Sequence, residues 1–506
     1  MENKKSVYSL LNATSAVGLT LVNGLLGIIV TRFIIVKFGS DFNGLNSTAN
    51  QIMNVLLVLE GGFTLASNVA LFAPLGRKDT LVVNGVLAAT QKKFKQIGCL
   101  FLGIGIIVTV GYTYVIHSGL SKEFIVTLLL MTIVPQAFNL FYATKYRVLL
   151  QAQQKEFIIN FITMLTVGLG HLANIILILC IGEMWMVRFI TMLFAFLNSF
   201  LIAWYVKRKN SFINFKVEPR TELISGTGDV MVQKITGVIY NSAPIVFLSI
   251  SPVGGTLLAS VYAVYNNVFT MIKSLLHGVI DAPRLSIGQI LTERSREEVW
   301  YVFRQYEYVA FLAIFAFLTT TCTLILPFVS IYTYGIKDVN YYNKTIALLL
   351  VFISSIEMLH IPSGHLINMA GEFKVSRNFQ MIACVLLMAT MIYGGVLWGL
   401  NGMLTALLVT AIALAFMEMG YIHAVFFRGK VYEMLKLIFP LIIFGVLLCC
   451  MERRLSVSIE GYVMFFIWGI ILLCINSVIS LLIALIFNRS IALELLSRAC
   501  SLVKKN

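Results

Sequence analysis

The chain has 506 residues, of which 59% are hydrophobic and 12% charged, and its formal net charge is +15. With a mean hydropathy of +0.89, it is too apolar for an ordinary water-soluble globule. The basic excess sits in short loops beside apolar runs, where orientation against anionic lipid accounts for it better than nucleic-acid binding does.

A helix needs about 20 mostly apolar residues to cross ~30 Å of hydrocarbon. Fourteen stretches meet this requirement, at 10–36, 45–72, 96–117, 124–146, 157–181, 184–206, 231–250, 256–282, 306–330, 344–370, 378–399, 402–424, 435–451 and 461–487. The apolar run behind Met1–Ser6 is too long for a cleaved signal peptide and is expected to stay as the first helix. Alternate loops carry most of the cations: Arg77, Lys78, Lys92, Lys93 and Lys95, then Lys145 and Arg147, then Lys207, Arg208 and Lys209, and so on to Arg498, Lys504 and Lys505. The opposite side holds Lys37, Lys122, Arg188, Lys337, Lys344, Arg453 and Arg454. The positive-inside rule makes the first side cytoplasmic and puts both termini there, as in a multi-pass bacterial inner-membrane protein. Aromatics fit this register, with Trp185, Tyr332, Tyr334 and Trp398 outside and Trp204 and Trp300 inside.

The longest inner loops are expected at Ala73–Lys95, Lys207–Asp229 and Pro283–Arg304, each well below the ~50 residues of a minimal domain. The polar stretch Lys207–Asp229, with Ser225, Gly226 and Gly228, reads as a linker between halves. There is no phosphate loop, no His-Glu-x-x-His and no serine nucleophile elbow, so the chain is not expected to be an enzyme. Its eight cysteines form no Cys-x-x-Cys, which argues against a disulfide framework or a metal site, and no cofactor is implied.

Two parts of the chain match themselves at an offset of about 216 residues. Asn50-Gln51, Gly62 and Ala66 correspond to Asn266-Asn267, Gly278 and Ala282, and the exit Leu150–Phe157 corresponds to Ile367–Lys374. An offset of six spans preserves orientation. The expected fold is therefore all-α, with two parallel six-helix lobes, 1–222 and 223–432, followed by two further helices and a cytoplasmic tail at 433–506. Parallel repeats of this kind build transporters with a substrate path between the lobes.

The run Phe38-Gly39, Ala49-Asn50-Gln51, Glu60-Gly61-Gly62-Phe63, Ala66 and Pro74-Leu75 resembles the second helix of Wzx-type polysaccharide flippases. These belong to the multidrug/oligosaccharidyl-lipid/polysaccharide (MOP) superfamily, with the lipid II flippases and the multidrug and toxin exporters. Glu60-Gly61-Gly62-Phe63 is similar to a Glu-Gly-Ala-Phe stretch in lipid II flippases. Leu366–Lys374 resembles the Asn-x-x-Gly-Lys-x-Lys exit of the tenth helix in polysaccharide members, with Glu372 where a Lys is usual. The resemblance implies outward transfer of an undecaprenyl-diphosphate-linked oligosaccharide by alternating access. The acidic sodium ligands it would suggest in the seventh and eleventh helices have no counterpart.

Ionisable side chains at membrane depth cost about 2.5–3.5 kcal/mol each to insert, so each is a functional candidate. Arg32 admits two readings, a snorkelling interface residue or a cavity cation gripping diphosphate oxygens. The resemblance favours the cavity cation. Lys273 sits near mid-depth and is expected to line the cavity. Lys234, at the inner end of the seventh helix, is either an anchor or a third substrate contact. Glu60 is read either as a packing residue beside Gly61 and Gly62 or as a coupling carboxylate. Glu357, His360 and Pro362 form a polar, kinked segment suited to gating, and Glu418 is the remaining acid at depth. His277 shares a helical face with Lys273.

The expected function is flipping of a polyprenyl-diphosphate-linked oligosaccharide (O-antigen, capsule or exopolysaccharide repeat unit), driven by an ion gradient. Membrane lipids and other polysaccharide assembly proteins are the expected partners, and nucleic acid is not. A multidrug exporter of the same fold is the first rival, although its cavity should be acidic or aromatic. A membrane polymerase would need a larger outer loop, and a non-transporting scaffold stays open.

Overall fold

The computed structural model describes residues 2–224, 228–281, 283–454, 459 and 461–495. Ser225 and Gly226 of the expected linker, Ala282 of the repeat, and Arg498, Lys504 and Lys505 lie outside them. The described residues form an all-α chain: α1 (Glu2–Leu56), α2 (Phe63–Arg77), α3 (Thr80–Val115), α4 (Lys122–Tyr142), α5 (Thr144–Ala152), α6 (Glu156–Cys180), α7 (Met184–Lys209), α8 (Gly228–Ile250), α9 (Gly255–Ile280), α10 (Arg284–Glu293), α11 (Arg296–Tyr332), α12 (Lys344–Met369), α13 (Phe373–Gly420), α14 (Val431–Arg454) and α15 (Tyr462–Phe487). Among the described residues, ten helices are long and apolar enough to cross a membrane. Two of these, α1 and α13, are broken by a non-helical glycine, Gly39 (φ 87°) and Gly399 (φ 55°). Outward faces are apolar: Ile107, Phe416 and Ile486 are 72%, 80% and 73% exposed, which suits lipid and not water.

Short polar side chains fix several helix starts. Asp79 accepts from the Val82 amide, Ser121 from Phe124, and Asn343 from both Thr345 and Ile346, satisfying donors that have no partner in the first turn. The long inner loop expected at Ala73–Lys95 is instead helical except around Lys78 and Asp79. The reason is amphipathic: Val83, Val86 and Leu87 are buried against Tyr146, Leu149 and Val206, while Lys92 and Lys93 stay exposed. The loop expected at Pro283–Arg304 likewise contains α10 and the start of α11. The stretch after Lys209 remains largely non-helical, apart from one 3-10 turn at Thr221–Leu223.

The two matched exits of the internal repeat form the same turn. Lys155 N–H donates to the Leu150 carbonyl (2.8 Å) and Gln154 N–H to Gln151 (2.9 Å); Glu372 N–H donates to Ile367 (3.1 Å) and Gly371 N–H to Asn368 (3.2 Å). This is a Schellman cap in both places, with Gln154 (φ 60°) and Gly371 (φ 78°) as the left-handed residue. Gln154 is an unusual choice there, and Asn12 of α1 clamps its turn. The Asn12 amide donates to the Gln154 carbonyl (3.0 Å) and its Oδ1 accepts from the Phe157 amide (2.7 Å).

Contacts divide the chain into two compact units, residues 1–263 with 336–339, and residues 264–335 with 340–506. In unit 1, α1 packs on α6 and α8, and α3 and α7 pack on α4. Its end near Gly39 is held by carboxylates: Asp41 accepts from Ser118 Oγ (2.8 Å), the Gly119 amide (2.7 Å) and Thr256 Oγ1, and Asp338 accepts from the Ser40 amide (2.6 Å) and hydroxyl (2.8 Å). Gly44 presses against the start of α9, where an added Cβ would lie 1.8 Å from the Thr256 carbonyl oxygen. In unit 2, α11 is the central helix, packed against α12, α14 and α15, with its buried Phe303, Phe311 and Phe315 in one apolar core.

Lys145, at the start of α5, lies over the rings of Phe215 (4.9 Å) and Tyr146 (5.3 Å). Burial, then the like charges of Lys95 and Lys207, push its ammonium down to about 8 from an ordinary 10.5.

Gly44→Ala should lower the thermal midpoint sharply, because backbone cannot yield as a side chain does, whereas Gly103→Ala, with open space around it, should be neutral; equal behaviour would contradict the close approach. For Lys145 the folded value lies below the unfolded one, so between about 8 and 10.5 the unfolded chain binds more protons and stability rises with pH. Lys145→Met should flatten that rise and increase stability at pH 7, read by thermal unfolding across the window.

Candidate functional site

The densest intramembrane polar network lies on one segment of α12. Glu357 and His360 are one turn apart and so share a face. Glu357 Oε2 is 2.9 Å from Lys273 Nζ of α9, with the two side chains 15% and 22% exposed. His360 Nδ1 is 2.8 Å from Glu418 Oε2 of α13, and both are buried. Gln380, on the first half of α13, donates to Glu418 Oε1 (3.3 Å). Four of the seven side chains singled out from the sequence, Lys273, Glu357, His360 and Glu418, are thus brought together within unit 2.

The local sequence of α12 makes this possible. Pro362 has no amide hydrogen, so it leaves the Met358 carbonyl without its helical donor and loosens that turn. Gly364 then lets the carboxylate in: a Cβ there would lie 2.6 Å from Glu418 Oε2. Between an imidazole and a carboxylate this close, one proton is shared, and its loss leaves a buried charge without a partner.

The polar column continues to the end of α9. His365 Nε2 and His277 Nδ1 each lie 3.4 Å from Asp281 Oδ1. The Tyr306 hydroxyl donates to the Ile280 carbonyl (2.9 Å) and is 3.1 Å from His365 Nδ1. His277 is therefore placed with Asp281, one turn further along from Lys273.

A second buried pair was not anticipated from the sequence. His423 Nε2 is 3.0 Å from Glu307 Oε2, with both side chains at 0% exposure, and His423 Nδ1 faces the Met419 carbonyl at 2.8 Å. His423 sits in a π-helical turn, Tyr421–Phe426, a geometry found often at functional sites. Glu307 falls at the edge of an expected span and reads from sequence as an interface acid. A carboxylate within an apolar run was the only available signal.

The other three candidates lie in unit 1. Glu60 closes a short 3-10 turn (Leu57–Glu60), and Gly61 (φ 57°) and Gly62 (φ 73°) then break the chain before α2. Its carboxylate accepts from the Thr64 hydroxyl and lies 3.9 Å from Lys234 Nζ, which is 48% exposed. Arg32 is partly buried on α1, two turns before the Gly39 break. Arg188, counted among the outer-side cations at the start of an expected span, is 5% exposed. It donates to Asn50 Oδ1 (3.0 Å) and to the Asn46 carbonyl.

Unit 2 also contains an apolar groove of about 390 Å³ between α11, α12 and α14, lined by Phe315, Leu318, Phe352, Leu441 and Cys449 among others. No group of His, Cys, Asp or Glu with metal-ligand geometry occurs among the described residues.

The sequence matches no protein-family profile and no curated protein. Solved structures do match in fold. An inward-facing multidrug resistance MATE family transporter of the MOP superfamily aligns with a TM-score of 0.64 at 14% identity, covering 88% of this chain and 100% of the other. The lipid II flippase MurJ in an inward closed conformation aligns with a TM-score of 0.64 at 13% identity, covering 96% and 99%. A MATE protein in the bent conformation aligns at 0.54 and 14%, covering 87% and 99%. The chain thus has the fold of these transporters and of this flippase, and its long apolar helices make it a multi-pass membrane protein.

Gly364→Ala should push the Glu418 carboxylate off His360 and cost about 1–3 kcal/mol, the cost of stranding a buried polar group. Gly278→Ala, on α9 where an added Cβ meets nothing within 4 Å, serves as the control. Equal thermal midpoints for the two variants would argue against a working His360–Glu418 bond.

Proposed function

We propose that the chain carries a polyprenyl-diphosphate-linked oligosaccharide from the inner to the outer leaflet of a bacterial plasma membrane, with both termini in the cytoplasm. The observation that carries this reading is the Lys273–Glu357 pair in a chain with this fold. A cation at membrane depth is costly, and the carboxylate beside it is one that a diphosphate can replace. Diphosphate oxygens compete for Lys273, and the displaced Glu357 then takes up a proton so that no bare carboxylate is left in a low-dielectric site. Release reverses both steps. Substrate movement is in this way linked to proton movement, with no metal or cofactor.

Arg32 and Lys234 are proposed as further phosphate contacts, since one cation does not offset the charge of a diphosphate in hydrocarbon. Arg32 has the guanidinium fork suited to two phosphate oxygens. Glu60 stands to Lys234 as Glu357 stands to Lys273, and His360 with Glu418 provides a second protonatable pair beside the first. The apolar groove of unit 2 offers a place for isoprenoid units of the tail. Among the structural neighbours, one is named as a lipid II flippase, a lipid-linked substrate of the same chemical class. Other polysaccharide assembly proteins are the proposed protein partners.

Export of multidrug cations is the second reading, since MATE transporters share the fold equally well. Lys273 and Arg32 weigh against it, because a cavity for organic cations has no use for fixed cations.

In proteoliposomes, a labelled undecaprenyl-diphosphate oligosaccharide should reach the opposite leaflet in a protein-dependent way, and faster when the side it leaves is made the more acidic, since substrate and proton load together. Lys273→Ala and Arg32→Ala should each slow this about ten- to hundredfold, the equivalent of losing one charge-assisted bond. Glu357→Gln should keep transport but lose its response to the gradient. Wild-type rates in Lys273→Ala would overturn the assignment, and export of organic cations without lipid movement would favour the second reading.

A further inference from the structure

Unit 1 contains a cavity of about 210 Å³ between α4, α6 and α7, its wall largely apolar but carrying several polar side chains, with Arg147 of α5 among its lining. Thr163, Thr166 and Asn174 of α6 and Asn198 of α7 contribute to its wall, as do Gln136 and Asn139 of α4. These positions follow helical spacing along α6, so the polar stripe runs for about 16 Å, eleven residues at ~1.5 Å each. None of the lining residues is a carboxylate.

Arg147 is the fixed charge of this chamber. The partner found for its guanidinium is the Asn198 Oδ1, a neutral amide. Asn198 is itself held by its amide nitrogen to Thr163 Oγ1 (3.2 Å) and Thr166 Oγ1 (2.8 Å). Arg147 Nε is buried and has no hydrogen-bond partner. Asn174, 4% exposed, has an unmet Oδ1 in the same chamber while its nitrogen donates to Thr191 Oγ1 (3.1 Å).

A water molecule answers an orphaned N–H but not a desolvated positive charge. The volume exceeds what one water occupies, about 30 Å³, and leaves room for an ion with part of its hydration shell. Arg147 Nε and the amides of Gln136 and Asn139 are donors that suit an anion, and Asn174 Oδ1 suits one of the accompanying waters. Arg188 is more deeply buried and its Nε is likewise unpartnered, but two acceptors serve its terminal nitrogens and it is not among the lining of this cavity.

We propose that this chamber binds a small inorganic anion, a halide or phosphate, with Arg147 as its charge partner, and that the anion acts as a fixed counter-ion for the α4–α7 bundle. The purified full-length protein in detergent should be melted in potassium chloride, potassium phosphate and potassium gluconate at matched ionic strength. The midpoint should be about 2–4 °C higher in chloride or in phosphate than in gluconate, and whichever anion gives the shift is the one bound. Arg147→Gln should abolish the difference and Arg147→Lys should restore part of it. Equal midpoints of the wild type in all three salts would overturn the proposal in favour of a water-filled chamber. An undiminished shift in Arg147→Gln would overturn it by placing the anion elsewhere. Should Arg147→Gln not fold, bromide-soaked crystals of the wild type decide: an anomalous peak within about 3.5 Å of Arg147 supports the site, and its absence overturns it.

Discussion

In hydrocarbon no water donates to or accepts from a stray polar atom, so every helix break and every ionised group has to find its partner inside the fold. Much of the architecture follows from this. The threonine run of α11 returns its hydroxyls to the helix, Thr319 to Phe315, Thr320 to Ala316 and Thr321 to Phe317. The chain ends flanking Gly39 are tied by Asp41 and Asp338, and the carboxylate next to the Gly61–Gly62 break is bonded by Thr64. Side chains with no such local solution meet across helices: Lys273 with Glu357, His360 with Glu418, His423 with Glu307.

The same constraint explains why α12 gathers the site. Its proline weakens one turn, and its glycine admits a carboxylate from a neighbouring helix. Two acids and a histidine then lie within reach of one another. Removing one member of a buried pair leaves the other uncompensated, which costs about 3–5 kcal/mol, so such pairs tend to persist intact or be exchanged as a unit.

Hydropathy made the all-helical, membrane-spanning character and the list of costly residues readable from the sequence. Lys273, Glu357, His360 and Glu418 each stood out as polar groups in apolar runs. Their pairing was not readable, because the partners lie on different helices and only packing selects them. Two of the three long inner loops were misjudged, the first for a local reason: lysines such as Lys92 and Lys93 look like loop residues, yet they occupy the outer face of a helix whose other face holds Val86 and Leu87. Arg147 was counted with the inner-loop cations for the same cause. A break at Ala143 ends α4 early, starts the short α5, and brings Arg147 to the chamber. Nothing in the residues around it announces that turn.

The paired Schellman turns differ in one respect that bears on how the chain is made. Gly371 enters the left-handed region at little steric cost, so its turn closes from local bonds as soon as α12 and the start of α13 have left the ribosome. Gln154 pays about 1 kcal/mol for the same geometry, and its clamp, Asn12, belongs to a helix synthesised some hundred and forty residues earlier. The first turn is therefore steadied by a helix distant in sequence, and the second by its own bonds alone. Two copies of one structural device thus differ in reach, one tying the start of the chain to the bundle and the other serving only its own helix pair.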